Sequence, residues 1–165
     1  QPVQVLDGGL GAWLAAGGSV TADAPTWKPA PRAEVHGRSS MPTVDADEIV
    51  DGRVDVLLDA RATARFRGDE EPIDRVAGHI PGALSAPTTD NLEADGRFRG
   101  ADELRGRFAS LGVQPGRRVA VYCGSGVTAA HEILALELAG MTAELFAPSW
   151  SGWIADRQRP VAIGE

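Results

Sequence analysis

Cysteine is almost absent from this sequence, because Cys123 is the only one among 165 residues. A single cysteine excludes a disulfide within the chain, and the lack of a second one fits a reducing compartment, so we expect a cytoplasmic protein. Long apolar runs are also missing. No segment approaches the length and apolarity of a transmembrane helix, and the residues after Gln1 do not form a signal peptide. We therefore expect no membrane association.

Positive charge is scarce as well. Lysine and arginine number 16 against 23 aspartates and glutamates, which gives a net charge of −7. An acidic chain is a poor partner for nucleic acid or for an anionic membrane surface, so we exclude both as main partners. Only three histidines occur, and neither His36 nor His131 has a cysteine or a second histidine at metal-ligand spacing. We predict no metal site and no other cofactor.

The remaining composition is that of a globular protein. Hydrophobic residues make up 43% of the chain and charged residues 24%, and the length allows one domain with a real core plus an appendage. Predicted strands alternate with predicted helices, which indicates an α/β domain with a mainly parallel central sheet flanked by helices. The strands are predicted over 3–6, 54–58, 83–86, 119–122 and 143–147, and the helices over 10–16, 45–50, 101–111, 127–138 and 150–155. Asp45 and Glu48 are spaced for a capping box at the start of the helix over 45–50, and the polar residues 88–100 are predicted to form a surface loop.

The most informative stretch surrounds the lone cysteine. A buried strand, Val119 to Tyr122, leads through Cys123 and a Gly-Ser-Gly loop into a helix that starts at Val127. Such a turn points several backbone N–H groups at one place, next to the positive end of a helix, and this arrangement favours the thiolate. A small buried core cysteine is the alternative, but a core cysteine does not need the glycine loop or the helix start.

The run from Cys123 to Thr128, Cys-Gly-Ser-Gly-Val-Thr, resembles the active-site loop of the rhodanese family of sulfurtransferases. Within that family it looks like the 3-mercaptopyruvate branch, since the thiosulfate branch tends to carry Arg and Lys at the positions of Gly124 and Ser125. The resemblance implies that Cys123 is the nucleophile, that Ser125 assists the leaving enolate, and that the loop backbone stabilises a persulfide. The residues implied in that stabilisation are Gly124, Gly126, Val127 and Thr128.

Three arginines follow a predicted buried strand within seven residues: Arg61, Arg65 and Arg67. Taken alone, each is best explained as part of a solvated loop of mixed charge. The Asp-Ala-Arg and Arg-Phe pattern, however, resembles the family segment whose later arginine grips the substrate carboxylate or sulfonate, and this implies Arg65. The resemblance also implies a second substrate arginine, and the nearest candidate is Arg75. Because Arg75 lies closer to Gly78 than the family pattern places this arginine, Arg67 is kept as the alternative.

Two further segments resemble family signatures. The run Gly-His-Ile-Pro-Gly at 78–82 implies a histidine, His79, that braces the fold and takes no part in chemistry. Near the end of the chain the family usually shows Gly-Ser-Trp-x-Glu-Trp, whereas residues 148–153 read Pro-Ser-Trp-Ser-Gly-Trp. The glutamate is missing, which weakens any contact it would make without altering the fold assignment.

Residues 5–13 line up with residues 145–153, each an apolar run, a tight turn and a helix with tryptophan in the same place. This self-similarity predicts a duplicated unit, although a chance match is the alternative. Residues 1–20 would then be the remnant of a preceding rhodanese-like domain, which becomes a predicted partner. The proline-rich segment 21–43 would be a linker, and 44–165 the catalytic domain.

These observations predict an enzyme that moves a sulfane sulfur from a small anionic donor, 3-mercaptopyruvate or thiosulfate, to a thiol or cyanide acceptor by ping-pong kinetics. Cysteine-based phosphatases share such a loop but need an arginine six residues after the cysteine, where this chain has Ala129. A non-catalytic rhodanese-like docking or regulatory module is the remaining alternative. Such modules commonly lose the cysteine, and this chain keeps Cys123 in an intact loop.

Overall fold

A computed structural model describes residues 4–26 and 41–165. Within these residues the sheet has four strands, all parallel, in the spatial order β2-β1-β3-β4. The strands are β1 Val56–Asp59, β2 Leu84–Ser85, β3 Val119–Tyr122 and β4 Glu144–Leu145. The helices are α1 Gly9–Ala15, α2 Ala46–Val50, α3 Thr63–Arg67, α4 Ala101–Ser110, α5 Val127–Leu138 and α6 Ser149–Trp153, with a 3-10 helix at Thr88–Asn91.

The two central strands are buried on both faces, as their uninterrupted apolar sequences predict. Alternate side chains point to opposite sides of the sheet and so feed two separate cores. Val119 and Val121 pack with the apolar faces of α4 and α5. Ala120 and Tyr122 pack on the other side with Phe66 of α3 and with the tryptophans of α6. The predicted α/β class with a parallel sheet flanked by helices is therefore confirmed.

The start of the described chain differs from the prediction. A strand was expected over residues 3–6, but residues 4–6 form no strand and residue 3 lies outside the described residues. No described strand lies beside this segment, so its N–H and C=O groups have no ladder to join. The helix expected after it does form as α1.

Part of the predicted linker belongs to the sheet edge. Thr43 pairs in parallel with Leu145 of β4, and the Leu145 N–H donates to the carbonyl of Pro42 at 2.9 Å. Proline can occupy this position because only its carbonyl is used. Residues 27–40, which hold most of the predicted linker, lie outside the described residues.

His79 is buried and its side chain braces α3. Its Nδ1 lies 2.7 Å from the carbonyl oxygen of Phe66, and its ring stacks on the Phe66 ring at 3.7 Å between centroids. Its backbone pairs antiparallel with Ala162. This histidine therefore ties α3 to the last described segment, which agrees with a bracing function.

Candidate active site

Cys123 is the first residue after β3, at the carboxyl end of the central strand, where open parallel sheets commonly bind ligands. Its side chain is only 2% exposed. The sulfur accepts a hydrogen bond from the backbone N–H of Gly126 at 3.1 Å. Its own N–H donates to Ser149 Oγ at 3.1 Å, and its carbonyl accepts from the N–H of Trp150 at 2.9 Å. The cysteine is thus held from both sides.

Gly126 is the residue that lets the loop curl back onto the sulfur. Its φ of 87° lies in the left-handed region, and it forms the N-cap of α5. A Cβ at this position would lie 2.9 Å from the carbonyl oxygen of Ala147, too close for any other residue. Both the backbone conformation and the lack of space therefore require glycine at position 126.

The sulfur faces a cleft of about 380 Å³. Four residues of the cysteine loop line it: Cys123, Gly124, Ser125 and Thr128. Ser125 is exposed, and its hydroxyl makes no hydrogen bond to any residue that the structure describes, so it is free to meet a ligand. Val127, in contrast, is 77% exposed and its side chain is not part of the lining.

Arg65 of α3 forms another part of the cleft wall. Its Nη2 donates to Glu71 at 2.7 Å and to Asp74 at 3.1 Å, while its Nε reaches both oxygens of Glu71 at 3.2 Å. Its Nη1 has no acceptor among the described residues and lies 3.5 Å from the point where a Cβ on Gly124 would sit. One N–H face of Arg65 is therefore fixed, and the other is directed at the cysteine loop.

The carboxylate that fixes Arg65 is itself stabilised in its charged form. Burial acts to raise the pKa of Glu71, but hydrogen bonds from Arg65 and from the N–H groups of Asp74 and Ile73 outweigh burial and hold that pKa below its usual value. Asp74 also accepts a hydrogen bond from Ser151 Oγ at 2.8 Å. Arg65 is thus positioned by two carboxylates, one of them tied to α6.

The other arginines named from the sequence lie elsewhere. Arg75 donates to the carbonyl of Ile154 at 2.7 Å and is not part of the cleft lining. Arg67 pairs with Glu165, and its guanidinium is also outside the cleft. Arg61 borders the cleft but is buried, and its N–H groups donate to Asp59, to Glu71 and to the carbonyl of Gly78. Of these described arginines, Arg65 is the one that borders the cysteine loop with an N–H group still available.

One wall of the cleft was missed by the sequence reading, which assigned residues 88–100 to a polar surface loop. Thr88 and Thr89 of the 3-10 helix line the cleft, and Thr88 Oγ1 lies 2.8 Å from His131 Nδ1. Burial lowers the pKa of His131, which favours its neutral form. The sequence contains one indication of this wall, which is that Thr88 and Thr89 follow the predicted strand over 83–86. Residues that follow a parallel strand lie at the same sheet edge as Cys123.

Behind this wall lies a buried acidic group on α5. Glu132 is fully buried, and burial raises the pKa of its carboxyl group despite the nearby Arg107. Asn91 Nδ2 donates to Glu132 at 2.7 Å, and Arg107 does so at 3.4 Å. These contacts anchor the 3-10 helix against α5 and so fix the threonine wall of the cleft.

The missing family glutamate also has a steric explanation. Gly152 stands where the family pattern carries glutamate, and a Cβ at Gly152 would lie 2.3 Å from Pro148 Cβ. The family pattern has glycine where this chain has Pro148. The two departures therefore belong together, since proline at 148 leaves room only for glycine at 152.

The part of the chain that the structure describes has neither a metal-binding cluster nor a helix able to cross a membrane. Residues 4–26 and 41–165 contain no cluster of three or more histidine, cysteine, aspartate or glutamate side chains that could bind a metal ion. Across the same ranges no helix has the length and apolarity that crossing a membrane requires.

Known proteins resemble the chain in sequence and in fold. Residues 43–156 match the family described as rhodanese-like domain. A probable 3-mercaptopyruvate sulfurtransferase of Pseudomonas aeruginosa is 46% identical over 174 residues, and a putative thiosulfate sulfurtransferase SseB of Mycobacterium tuberculosis is 45% identical over 165 residues. These alignments cover 99% and 98% of this chain but 58% of each relative, so the chain spans little more than half their length.

Two further comparisons extend this result. The human 3-mercaptopyruvate sulfurtransferase is 36% identical over 164 residues, covering 96% of this chain and 54% of that protein. The wild-type structure of EanB superposes with a TM-score of 0.84 over 98% of this chain and 41% of its own, at 24% identity, which supports the fold alone. The family match over most of the domain and the sequence identities together show that the chain belongs to the rhodanese family.

Proposed function

We propose that this chain carries the nucleophile of a sulfurtransferase, which moves a sulfane sulfur through a persulfide on Cys123. The observation that carries the proposal is the placement of the Cys123 sulfur, which accepts the Gly126 N–H beside a cleft whose wall includes Arg65. The names of the bacterial and human relatives, 3-mercaptopyruvate or thiosulfate sulfurtransferase, support the same activity.

In the first step the Cys123 thiolate attacks the sulfur of the donor. With 3-mercaptopyruvate the carbon–sulfur bond breaks, its electron pair goes to carbon, and pyruvate leaves as its enolate, which then takes up a proton. Ser125 lines the cleft with a hydroxyl that has no partner among the described residues, so it can donate a hydrogen bond to this developing charge. The N–H of Gly126 stabilises the sulfur anion.

In the second step a thiol or cyanide attacks the outer sulfur of the persulfide. The sulfur–sulfur bond breaks, the electron pair returns to Cys123 as thiolate, and the acceptor leaves with one added sulfur. Because the donor product departs before the acceptor reacts, the kinetics should be ping-pong. The same backbone N–H at Gly126 serves both steps, since each begins or ends with charge on the Cys123 sulfur.

Arg65 is assigned to the donor carboxylate, through the Nη1 that faces Gly124. The cleft does not act as a strong anion trap, because Asp59, Glu71 and Asp74 already pair with Arg61 and Arg65. These three carboxylates outnumber the two arginines, and a site without net positive charge favours a monoanionic carboxylate over the thiosulfate dianion. Together with Gly124 and Ser125, this makes 3-mercaptopyruvate the preferred donor. Arg75 has no place in this proposal.

The tandem arrangement is also a proposal. The chain spans 58% of the length of its bacterial relatives, which fits a second rhodanese-like domain in the whole protein. Leu10, Trp13 and Leu14 on α1 are exposed, as expected if residues 1–20 complete a preceding domain. A histidine and an aspartate of that domain would assist Ser125. The unpaired reactive thiol fits a reducing compartment, and we propose a cytoplasmic location.

The test is sulfur transfer to cyanide, read as thiocyanate, with 3-mercaptopyruvate and thiosulfate compared at equal concentration. Cys123→Ala is the control, and a mass increase of one sulfur atom on Cys123 after donor treatment reports the intermediate. We expect turnover with preference for 3-mercaptopyruvate, and loss of both signals in the variant. Preference for thiosulfate would contradict the donor assignment. Absence of the mass increase in both this chain and the whole protein would contradict the proposed function.

A further inference from the structure

Ser149 has an unfavourable backbone conformation for a residue with a side chain. Its φ is 52°, and among the described residues it is the only one other than glycine with a positive φ. The left-handed region is unfavourable for a residue that carries a Cβ, because the Cβ comes too close to the following carbonyl oxygen. Ser149 is also fully buried, at the start of α6. Strain that persists at a buried position beside a reactive group points to a function for the residue that bears it.

The chain contains its own reference for this turn. Gly9 occupies the equivalent place, the first residue of α1, with φ of 55°. The N–H of Gly9 donates to the Leu6 carbonyl at 2.9 Å, and the N–H of Ser149 donates to the Phe146 carbonyl at 3.1 Å. The same turn therefore forms with glycine, which adopts this φ without strain. The backbone alone does not explain why position 149 carries serine.

What serine adds is its hydroxyl. Ser149 Oγ accepts the N–H of Cys123 at 3.1 Å and donates to the Phe146 carbonyl at 3.0 Å. Cys123 follows the last residue of β3, and β4 ends at Leu145, so no strand partner is available to this N–H among the described residues. The hydroxyl replaces that partner and satisfies a donor that would otherwise be buried and unpaired.

The hydroxyl is one of three contacts that fix this part of the loop. The N–H of Trp150 donates to the Cys123 carbonyl at 2.9 Å, and the N–H of Ser151 donates to the Gly124 carbonyl at 3.0 Å. Both of these use backbone groups and would survive a change of side chain at 149. Only the contact to the Cys123 N–H depends on the identity of residue 149.

We propose that Ser149 is a positioning residue, which sets the backbone of Cys123 so that the sulfur faces the Gly126 N–H and the cleft. This inference deepens the proposed function and rests on it for its kinetic consequence. The residue touches neither donor nor acceptor. Its effect is on the orientation of the nucleophile, which should govern the chemical steps more than the binding of the donor by Arg65.

The decisive variant is Ser149→Gly, which keeps the turn, relieves the strain and removes the side chain together with its hydroxyl. We expect kcat for thiocyanate formation to fall about ten- to a hundredfold, as small misplacements of a reacting group do, with the donor KM within about twofold. The thermal midpoint should change little, because relief of strain offsets the lost hydrogen bond. Gly9→Ser is the matched control, and its kcat should equal that of the parent.

Alkylation of Cys123 by iodoacetamide gives a second readout that does not depend on sulfur transfer. Cys123 is 2% exposed as a residue, so a loop released from Ser149 should be alkylated faster in Ser149→Gly than in the parent. Faster alkylation combined with slower turnover supports positioning. If the parent transfers no sulfur but the variant is still alkylated faster, positioning stands and the proposed function fails.

Two outcomes would overturn the inference. One is an unchanged kcat together with an unchanged alkylation rate in Ser149→Gly. The other is a loss of kcat accompanied by a proportionate rise in KM and a clear fall in the thermal midpoint, which would indicate a purely structural residue.

Discussion

The turns before α1 and α6 have the same local geometry but different surroundings. In both, the residue at the turn has φ near 50° and donates its N–H to a carbonyl three residues earlier. The next helical bond also matches, from Ala12 to Gly8 at 3.2 Å and from Gly152 to Pro148 at 2.8 Å. The matching tryptophans differ, because Trp13 is 46% exposed and Trp153 is 1% exposed.

This contrast separates what a sequence motif determines from what its environment determines. The apolar run, the turn and the helix form in both places, so the motif determines the turn. Packing and chemistry depend on the neighbours: α6 packs on the sheet beside Cys123, whereas α1 has no buried residue. A repeated motif is therefore good evidence for repeated local structure and poor evidence for repeated function.

The largest expected difference between the two turns is in the tryptophans. Trp153→Ala removes a side chain that packs edge-on against Phe146 at 6.3 Å between ring centroids, and we expect the free energy of unfolding to fall by about 3–5 kcal/mol. Trp13→Ala should lower it by no more than about 1 kcal/mol, because that ring is half exposed. Urea unfolding followed by far-ultraviolet circular dichroism measures both. Equal losses would contradict the comparison.

The second difference concerns the two residues joined by the first helical hydrogen bond of each turn. They are Pro148 and Gly152 in the second turn, and Gly8 and Ala12 in the first. Gly152→Ala places a Cβ against Pro148, and overpacking of this kind should lower the free energy of unfolding by about 1–3 kcal/mol. The double variant Pro148→Gly with Gly152→Ala reproduces the Gly8 and Ala12 pair and should recover most of the loss. A double-mutant cycle by urea unfolding measures the coupling. Strict additivity of the two changes would show that the pair is not coupled.

The third prediction concerns backbone strain, which Ser149 has in the second turn and Gly9 lacks in the first. Gly9→Ser puts a serine at φ of 55°, where its Cβ meets no atom within 4 Å, so only backbone strain of about 1–2 kcal/mol is added. We expect faster hydrogen exchange of the Ala12 and Ala16 amides, whose hydrogen bonds lie at the first and last turns of α1. Exchange of the α6 amides is the internal control. Unchanged exchange in α1 would mean that the turn tolerates serine freely.

The smallest expected effect is on the acid dependence of stability, since the second turn has an ionic link that the first lacks. Ser151, which matches Gly11, contacts Asp74 and thereby the Arg65 and Glu71 pair. The pKa of Glu71 is lowered from its usual 4.5, so its stabilising contribution is present above that pH and is lost as the pH falls through the lowered value.

In the parent, the free energy of unfolding should decrease as the pH is lowered below 4.5. In Glu71→Gln this decrease should be smaller. Urea unfolding at a series of acidic pH values measures the slope, with Glu70→Gln as the neighbouring control. A slope that Glu71→Gln leaves unchanged would show that the Arg65 pair does not link to folding.

The features that the sequence predicted well are those set by neighbouring residues. The helix after the cysteine loop runs from Val127 to Leu138 as predicted, because the glycine turn and the apolar pattern define its start and end. The capping box at α2 is also confirmed, with Glu48 N–H donating to Asp45 Oδ1 at 2.9 Å and Asp45 N–H donating to Glu48 Oε2 at 3.2 Å. The parallel sheet followed from the alternation of elements.

The features that the sequence could not resolve depend on distant contacts. Arg61, Arg65 and Arg67 look alike along the chain, and only their partners, Asp59 for the first and Glu71 for the second, show which one keeps a free N–H at the cleft. The threonine wall depends on Glu132 of α5, far along the sequence. The strand predicted over residues 3–6 is wrong for residues 4–6, because a strand needs a neighbouring strand for its hydrogen bonds.

The last described segment has a practical consequence for anyone expressing or truncating the protein. Ala162 exchanges two backbone hydrogen bonds with His79, at 2.8 and 3.0 Å, and the N–H of Gly164 donates to the Arg67 carbonyl at 2.9 Å. These residues secure α3, the helix that presents Arg65, from behind. A stop codon placed before residue 160 would therefore disturb the position of Arg65, although this segment contributes nothing to the cleft lining.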